Sequence, residues 1–167
     1  MAIVSSAAAG LRAASRATIL QLRSPALTTA ALEREMKKLV VTSIPILVSS
    51  RCDVALACDA AGVNLPESDI SVADARKLLG ARLIGRSVHS IAGAQMAEDG
   101  GADYVIFGPV WDSASHPGTP PAGRAELARV VGSVAIPVLA IGGVTEERVA
   151  DVLASGAAGY AAIRRFE

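Results

Sequence analysis

Two adjacent glycines, Gly142 and Gly143, follow the apolar run Pro137–Ile141 and precede Thr145, Glu146 and Glu147. The run is short, rich in branched residues and free of polar groups, as befits a strand buried on both faces. Thr145 reads as a helix N-cap with both glutamates in the first turn, giving a helix over 146–154. A strand, a glycine turn and a helix N-terminus present bare backbone N–H groups and a positive dipole end, with no side chain in an anion's way. Phosphate binding is the chemistry such a stretch suggests. A tight turn that needs glycine only for positive φ is the plainer alternative.

Other polar residues stand just beyond apolar runs: Gln21 and Arg23, then Ser49, Ser50 and Arg51, then Asn64 and Glu67, then Arg86, Ser87 and His89, and finally Arg164 and Arg165. Arginines at several such ends, next to glycine turns, suit a small anionic substrate. Arg23 is equally placed to be a solvated loop residue. His89 lies between a strand and a helix, where it is a candidate acid or base but also a candidate cap. The longest interruption, Gly108–Gly123, contains Ser113, Ser115 and His116, which can donate to a phosphate, among prolines and glycines that shape a turn. Loops of about 15 residues in compact domains are commonly lids or binding loops; a solvent-exposed connection is the alternative.

These residues require strands to carry them. Strands are expected at 2–5, 17–22, 45–48, 62–65, 83–88, 104–107, 137–141 and 160–163. Helices are expected at 7–14, 29–41, 52–59, 72–79, 91–98, 125–131 and 146–154. Ser71, with Asp74 three residues on, resembles a capping box, and Ser90 caps the following helix. Leu32, Met36, Leu39 and Val40 form one apolar face of 29–41. The recurrent small-residue turns Asp59–Val63, Gly100–Tyr104 and Ser155–Gly159 suit helix-to-strand loops. Alternation at this spacing implies parallel βαβ units, and eight strands imply a (β/α)8 TIM barrel with its site at the strands' C-terminal ends. Such barrels usually take ~250 residues, whereas this chain has 167 and stops four residues past its last strand. The expectation is a barrel trimmed or incomplete at the N-terminus and lacking the last helix. Its uncovered seam would favour a homo-oligomer.

Residues 1–167 read as a single domain, 51% hydrophobic, enough for a sizeable core. Sixteen basic and sixteen acidic residues cancel, so no global charge favours nucleic acid or anionic membranes. Five aromatic residues are too few for a base-stacking platform. The apolar N-terminus lacks a basic flank and the length to span a bilayer. Cys52 and Cys58 have no metal-ligand spacing, which points to a reduced, cytoplasmic setting.

Phe107-Gly-Pro-Val-Trp111, the spacing of Ser113, Ser115 and His116-Pro-Gly, Ile141-Gly-Gly-Val144 and Ile84-Gly-Arg-Ser-Val-His-Ser90 together resemble the thiamin-phosphate synthase/TenI family, over about residues 17–163. Gly85–Ser90 and Leu65-Pro66 are closer to the TenI branch. The resemblance implies a TIM barrel of the thiamin-phosphate synthase type that binds a phosphorylated thiazole, with the phosphate on Gly142-Gly143. It implies substrate- or phosphate-binding roles for Gln21, Arg23, Ser87, Ser113, Ser115 and Arg164, the last standing where the family has a serine. It also implies Mg²⁺ in the synthases, on carboxylates at positions where this chain has Ser50 and Ala61. No metal and no cofactor is therefore expected here, and classical magnesium-dependent synthase activity is doubted. A lysine of the family is replaced by His116. TenI-type tautomerases shuttle a proton without metal, but the histidine associated with that step falls at Pro109, which leaves His89 and His116 as catalytic candidates. Three readings stay open. One is a tautomerase-like enzyme of thiamin biosynthesis. The second is a non-catalytic regulatory or carrier protein for thiazole phosphate or thiamin phosphate. The third is a divergent synthase.

Overall fold

The computed structural model describes residues 1–113, 118, 120–163 and 166. Eight strands alternate with seven helices: β1 (Ala2–Val4), α1 (Ala7–Ala13), β2 (Leu20–Leu22), α2 (Thr29–Leu39), β3 (Ile46–Ser49), α3 (Cys52–Ala57), β4 (Gly62–Leu65), α4 (Val72–Leu79), β5 (Leu83–Val88), α5 (Ile91–Asp99), β6 (Tyr104–Phe107), α6 (Gly123–Val131), β7 (Val138–Ala140), α7 (Val149–Ala154) and β8 (Gly159–Tyr160). The strands follow one another in the order β1 to β8, and each pairs in parallel with the next. This is the expected (β/α)8 barrel, built with short helices; among the described residues no α-helix follows β8.

The seam expected to gape is bridged. Ala2 pairs with Ala162, the Ile3 amide donates to the Ala162 carbonyl at 2.9 Å and the Ala162 amide to the Met1 carbonyl at 3.1 Å. Phe166, itself buried, stacks on Tyr160 with ring centroids 6.4 Å apart. An open strand edge is thus no reason for association.

Alternation along each strand splits the apolar residues into two cores. Val4, Leu20, Leu22, Val48, Val63, Leu65, Ile84, Val105 and Phe107 face the helices. Met1, Ile3, Leu47, Tyr104, Ile106 and Ala161 fill the barrel interior. Tyr104 lies across the space that Gly85 leaves empty: a Cβ on Gly85 would fall on its ring. The caps expected at Ser71 and Ser90 are present, accepting from the amides of Asp74 and Gly93. Helix α7 departs from expectation. It begins at Val149 rather than at Glu146, and Thr145 does not cap it; Arg148 occupies the N-cap position without a side-chain cap bond. Residues 146–148 form a turn instead.

Candidate active site

The C-terminal ends of the strands enclose a cavity of about 470 Å³. Gln21, Arg23, Ser87, His89, Ser113, Gly142 and Gly143, all expected from the sequence, line it. Ser115, His116 and Arg164 lie outside the described residues. Asn64, Glu67, Asp112 and Thr145 also line the cavity.

The floor is polar and almost fully enclosed. Asn64 is 3% exposed and Gln21 2%. Asn64 donates from Nδ2 to Ser87 Oγ at 3.1 Å and accepts from the Tyr104 hydroxyl at Oδ1, 3.3 Å away. Burial pushes the Tyr104 phenol well above its ordinary pKa, with Asp103 adding to the shift, so it stays a donor at all ordinary pH. Gln21 Oε1 has no hydrogen-bond partner among the described residues. A buried amide oxygen without a partner costs free energy that a ligand can recover. Gln21 as a residue lines the cavity, so this oxygen is a polar group beside the cavity and not one deep in apolar core.

One wall is the glycine turn. Gly142 and Gly143 have φ of 90° and 64°, the left-handed region open to glycine. Their missing side chains also admit protein: a Cβ on Gly142 would lie 2.6 Å from Pro109 Cβ, and one on Gly143 2.5 Å from the Asp112 carbonyl oxygen. The β6–α6 loop is thereby laid onto the turn, with the Val110 amide bonded to the Ile141 carbonyl and the Trp111 amide to the Gly142 carbonyl. The amides of Gly142, Gly143, Val144 and Thr145 have no acceptor among the described residues. Arg148 completes the wall. It donates to the Gly143 carbonyl at 2.7 Å and stands 5.2 Å over the Trp111 ring, a cation–π contact. Because α7 starts at Val149, this wall presents turn amides and not a helix terminus to the cavity. Arg23, beyond β2, is exposed and also lines the cavity.

Ala61, one of the two positions tied to magnesium by the family resemblance, lies at the wrong end of the barrel for such a role. Ala61 precedes β4 and donates its amide to the Ile46 carbonyl at the start of β3, so it stands at the N-terminal end of the barrel, away from the cavity. Its methyl group says nothing about a cation at the other end; only Ser50, immediately after β3, bears on that question. Ser50 has φ of 66°, unusual for a residue with a Cβ. Among the described residues no three His, Cys, Asp or Glu side chains converge as a metal cluster.

Arg148 and Trp111 had no sequence signal as a pair, being separated by the whole of α6 and β7. Asn64 was visible as a polar residue at a single position of an otherwise apolar strand, which alternation places inside the barrel.

The family model for thiamine monophosphate synthase matches residues 2–166. The chain belongs to that family. As a thiamine monophosphate synthase relative it is 40% identical over 121 residues to a thiamine-phosphate synthase of Chloroflexus aurantiacus, a match covering 72% of this chain and 56% of that protein. It is 42% identical over 150 residues to a putative thiamine-phosphate synthase of Geobacter sulfurreducens, covering 86% of this chain and 70% of that one. Among solved structures, thiamine phosphate pyrophosphorylase from Pyrococcus furiosus superposes with a TM-score of 0.87 at 31% identity, over 97% of this chain and 84% of the other. Among the described residues no helix is long and apolar enough to cross a membrane.

Proposed function

We propose that this thiamine monophosphate synthase family member acts in thiamin biosynthesis by binding a phosphorylated thiazole in the cavity. Its phosphate would rest on the amides of residues 142–145 and its ring on the floor formed by Gln21 and Asn64. The observation that carries the reading is that turn amides without an acceptor and a buried amide oxygen without a partner, both among the described residues, belong to residues lining one cavity. An anion satisfies the first and a polar heterocycle edge the second. The Gln21 amide can present either its oxygen or its NH₂ to a ring atom. No resident cofactor enters this reading.

The test is calorimetry with thiazole phosphate and with the same thiazole alcohol lacking phosphate. Hydrogen bonds to a charged group contribute about 1.5–3 kcal/mol each, so two lost with the phosphate would weaken binding by roughly a hundredfold or more. Equal affinities for the two compounds would remove the phosphate from the turn.

A divergent synthase is the second reading, favoured by relatives that carry that name at 40% and 42% identity. It requires the same cavity to hold a pyrimidine pyrophosphate beside the thiazole. Thiamin phosphate formed from the two substrates under saturating magnesium would decide for it.

A further inference from the structure

Glu67 and His89 leave different strands and meet at the cavity. Glu67 stands in the turn beyond β4 and His89 immediately beyond β5, and both line the cavity. Glu67 Oε2 is 2.6 Å from His89 Nδ1, and Oε1 accepts from the His89 backbone amide at 3.4 Å. An ionised carboxylate can only accept, so Nδ1 carries a proton and the neutral ring keeps its lone pair on Nε2.

Two features hold the carboxylate there. Arg86 lies between Gly85 and Ser87, which face the barrel interior, so its own side chain turns outward. Its guanidinium donates to three carbonyls of the Glu67 turn: Glu67 at 2.7 Å, Asp69 at 3.3 Å and Ile70 at 2.7 Å. An arginine bound to backbone in this way fixes the loop and not a substrate. Gly93 supplies the space: a Cβ there would stand 2.6 Å from Glu67 Oε1. Glycine inside a helix costs about 1 kcal/mol relative to alanine, and seating this carboxylate against the first turn of α5 gives that cost a reason.

We propose that Glu67 is a positioning residue for His89: it fixes the Nδ1–H tautomer, so that Nε2 takes and returns a proton on a ligand in the cavity. The proposal rests on the reading that the cavity accepts a thiazole phosphate. In a non-aromatic thiazole tautomer, Nε2 removes a proton from a ring carbon. The electron pair left behind forms the ring double bond, and the existing exocyclic double bond opens toward its far carbon. The Nε2–H of the imidazolium then protonates that carbon. Every atom and electron stays within ligand and side chain, and the Glu67 carboxylate offsets the charge the ring carries in between. Among the described residues, Arg23, Glu67 and Asp112 are the charged groups that line the cavity with His89; Arg86 is committed to the loop carbonyls.

Nitrogen-15 NMR of the ligand-free chain reads the tautomer directly. The neutral ring should be in the Nδ1–H form, and Glu67→Gln, whose amide can donate to Nδ1, should shift it to Nε2–H. Conversion of a non-aromatic thiazole phosphate to its aromatic tautomer, followed by ring absorbance, reads the chemistry. Glu67→Gln and His89→Asn should each lower kcat on the order of a hundredfold, the range of one general base, with KM changed less than threefold. The double variant should lose no more than His89→Asn alone. A parent ring in the Nε2–H form overturns the positioning role. A kcat unchanged in Glu67→Gln does the same, whereas the non-aromatic thiazole phosphate bound but not converted by the parent protein overturns the proton transfer. If calorimetry shows no binding at all, the ligand reading fails with it, while the tautomer measurement still decides whether Glu67 positions His89.

Discussion

Replacing Gln21 by Met separates what this side chain costs the fold from what it contributes to the ligand. Gln21 is 2% exposed and its Oε1 is unpaired; leaving such a group unsatisfied costs about 1–3 kcal/mol. Methionine has similar length and volume, no group to satisfy and enough flexibility to fill the same space. Gln21→Met should therefore stabilise the ligand-free protein by about 1–2 kcal/mol, the rest of the gain being offset by imperfect packing of the thioether. For a chain of this size each kcal/mol moves the unfolding midpoint by about 2–4 °C, so the expected rise is roughly 2–8 °C. The same change removes one ligand hydrogen bond, about 0.5–1.5 kcal/mol net, or a roughly two- to twelvefold weaker Kd. Thermal unfolding followed by circular dichroism, with and without thiazole phosphate, measures both effects in one experiment. The variant should melt above the parent without ligand and gain less from saturating ligand. A Gln21→Met protein that melts below the parent, or gains as much from ligand, would refute the idea that this amide awaits a ligand.

Gly85→Ala should destabilise by on the order of 1–3 kcal/mol, as overpacked cores do, because Tyr104 occupies the added atom's place and is tied to Asn64. Urea unfolding would show this, and Tyr104→Leu in the same background should restore much of the loss; a Gly85→Ala protein as stable as the parent would contradict the packing described. Glu35 has a pKa below its ordinary 4.5, first through its bond to Lys38 and then through the Ala7 amide. A group depressed in the folded state adds stability above its unfolded pKa and loses it as pH falls through the folded value. Glu35→Gln should accordingly flatten the decline in midpoint below pH 4.5, and an unchanged acid limb would assign that decline to other carboxylates.

The barrel was legible because its signals are local. Apolar runs of strand length, serine caps before Val72 and Ile91, and small-residue turns each follow from a few neighbouring residues, and each appears in the structure. Helix α7 was misread because Thr145 and the two glutamates satisfy the capping rules on their own. Tertiary contact decided otherwise, since Arg148 reaches back to the Gly143 carbonyl and the Trp111 ring. Gathering Gln21, Arg23, Ser87, His89, Gly142 and Gly143 into one cavity needed only strand-end positions in a barrel. The Glu67–His89 contact needed more, because it depends on an outward arginine and a helical glycine that bend the β4–α4 turn toward β5. Ala61 shows the opposite failure: a motif alignment placed it among metal positions, while strand direction puts it at the far end of the barrel.

The interlock between the glycine turn and residues 109–112 makes these two segments one structural unit. Side chains that grow at Gly142 or Gly143 displace Pro109 or the Asp112 carbonyl, and a reshaped loop at 109–112 loses its seat on the turn. Redesign of the pocket for a different ring would have to transplant both segments together, with Arg148 as the strut between them, because either one grafted alone carries a surface shaped for a neighbour it no longer has.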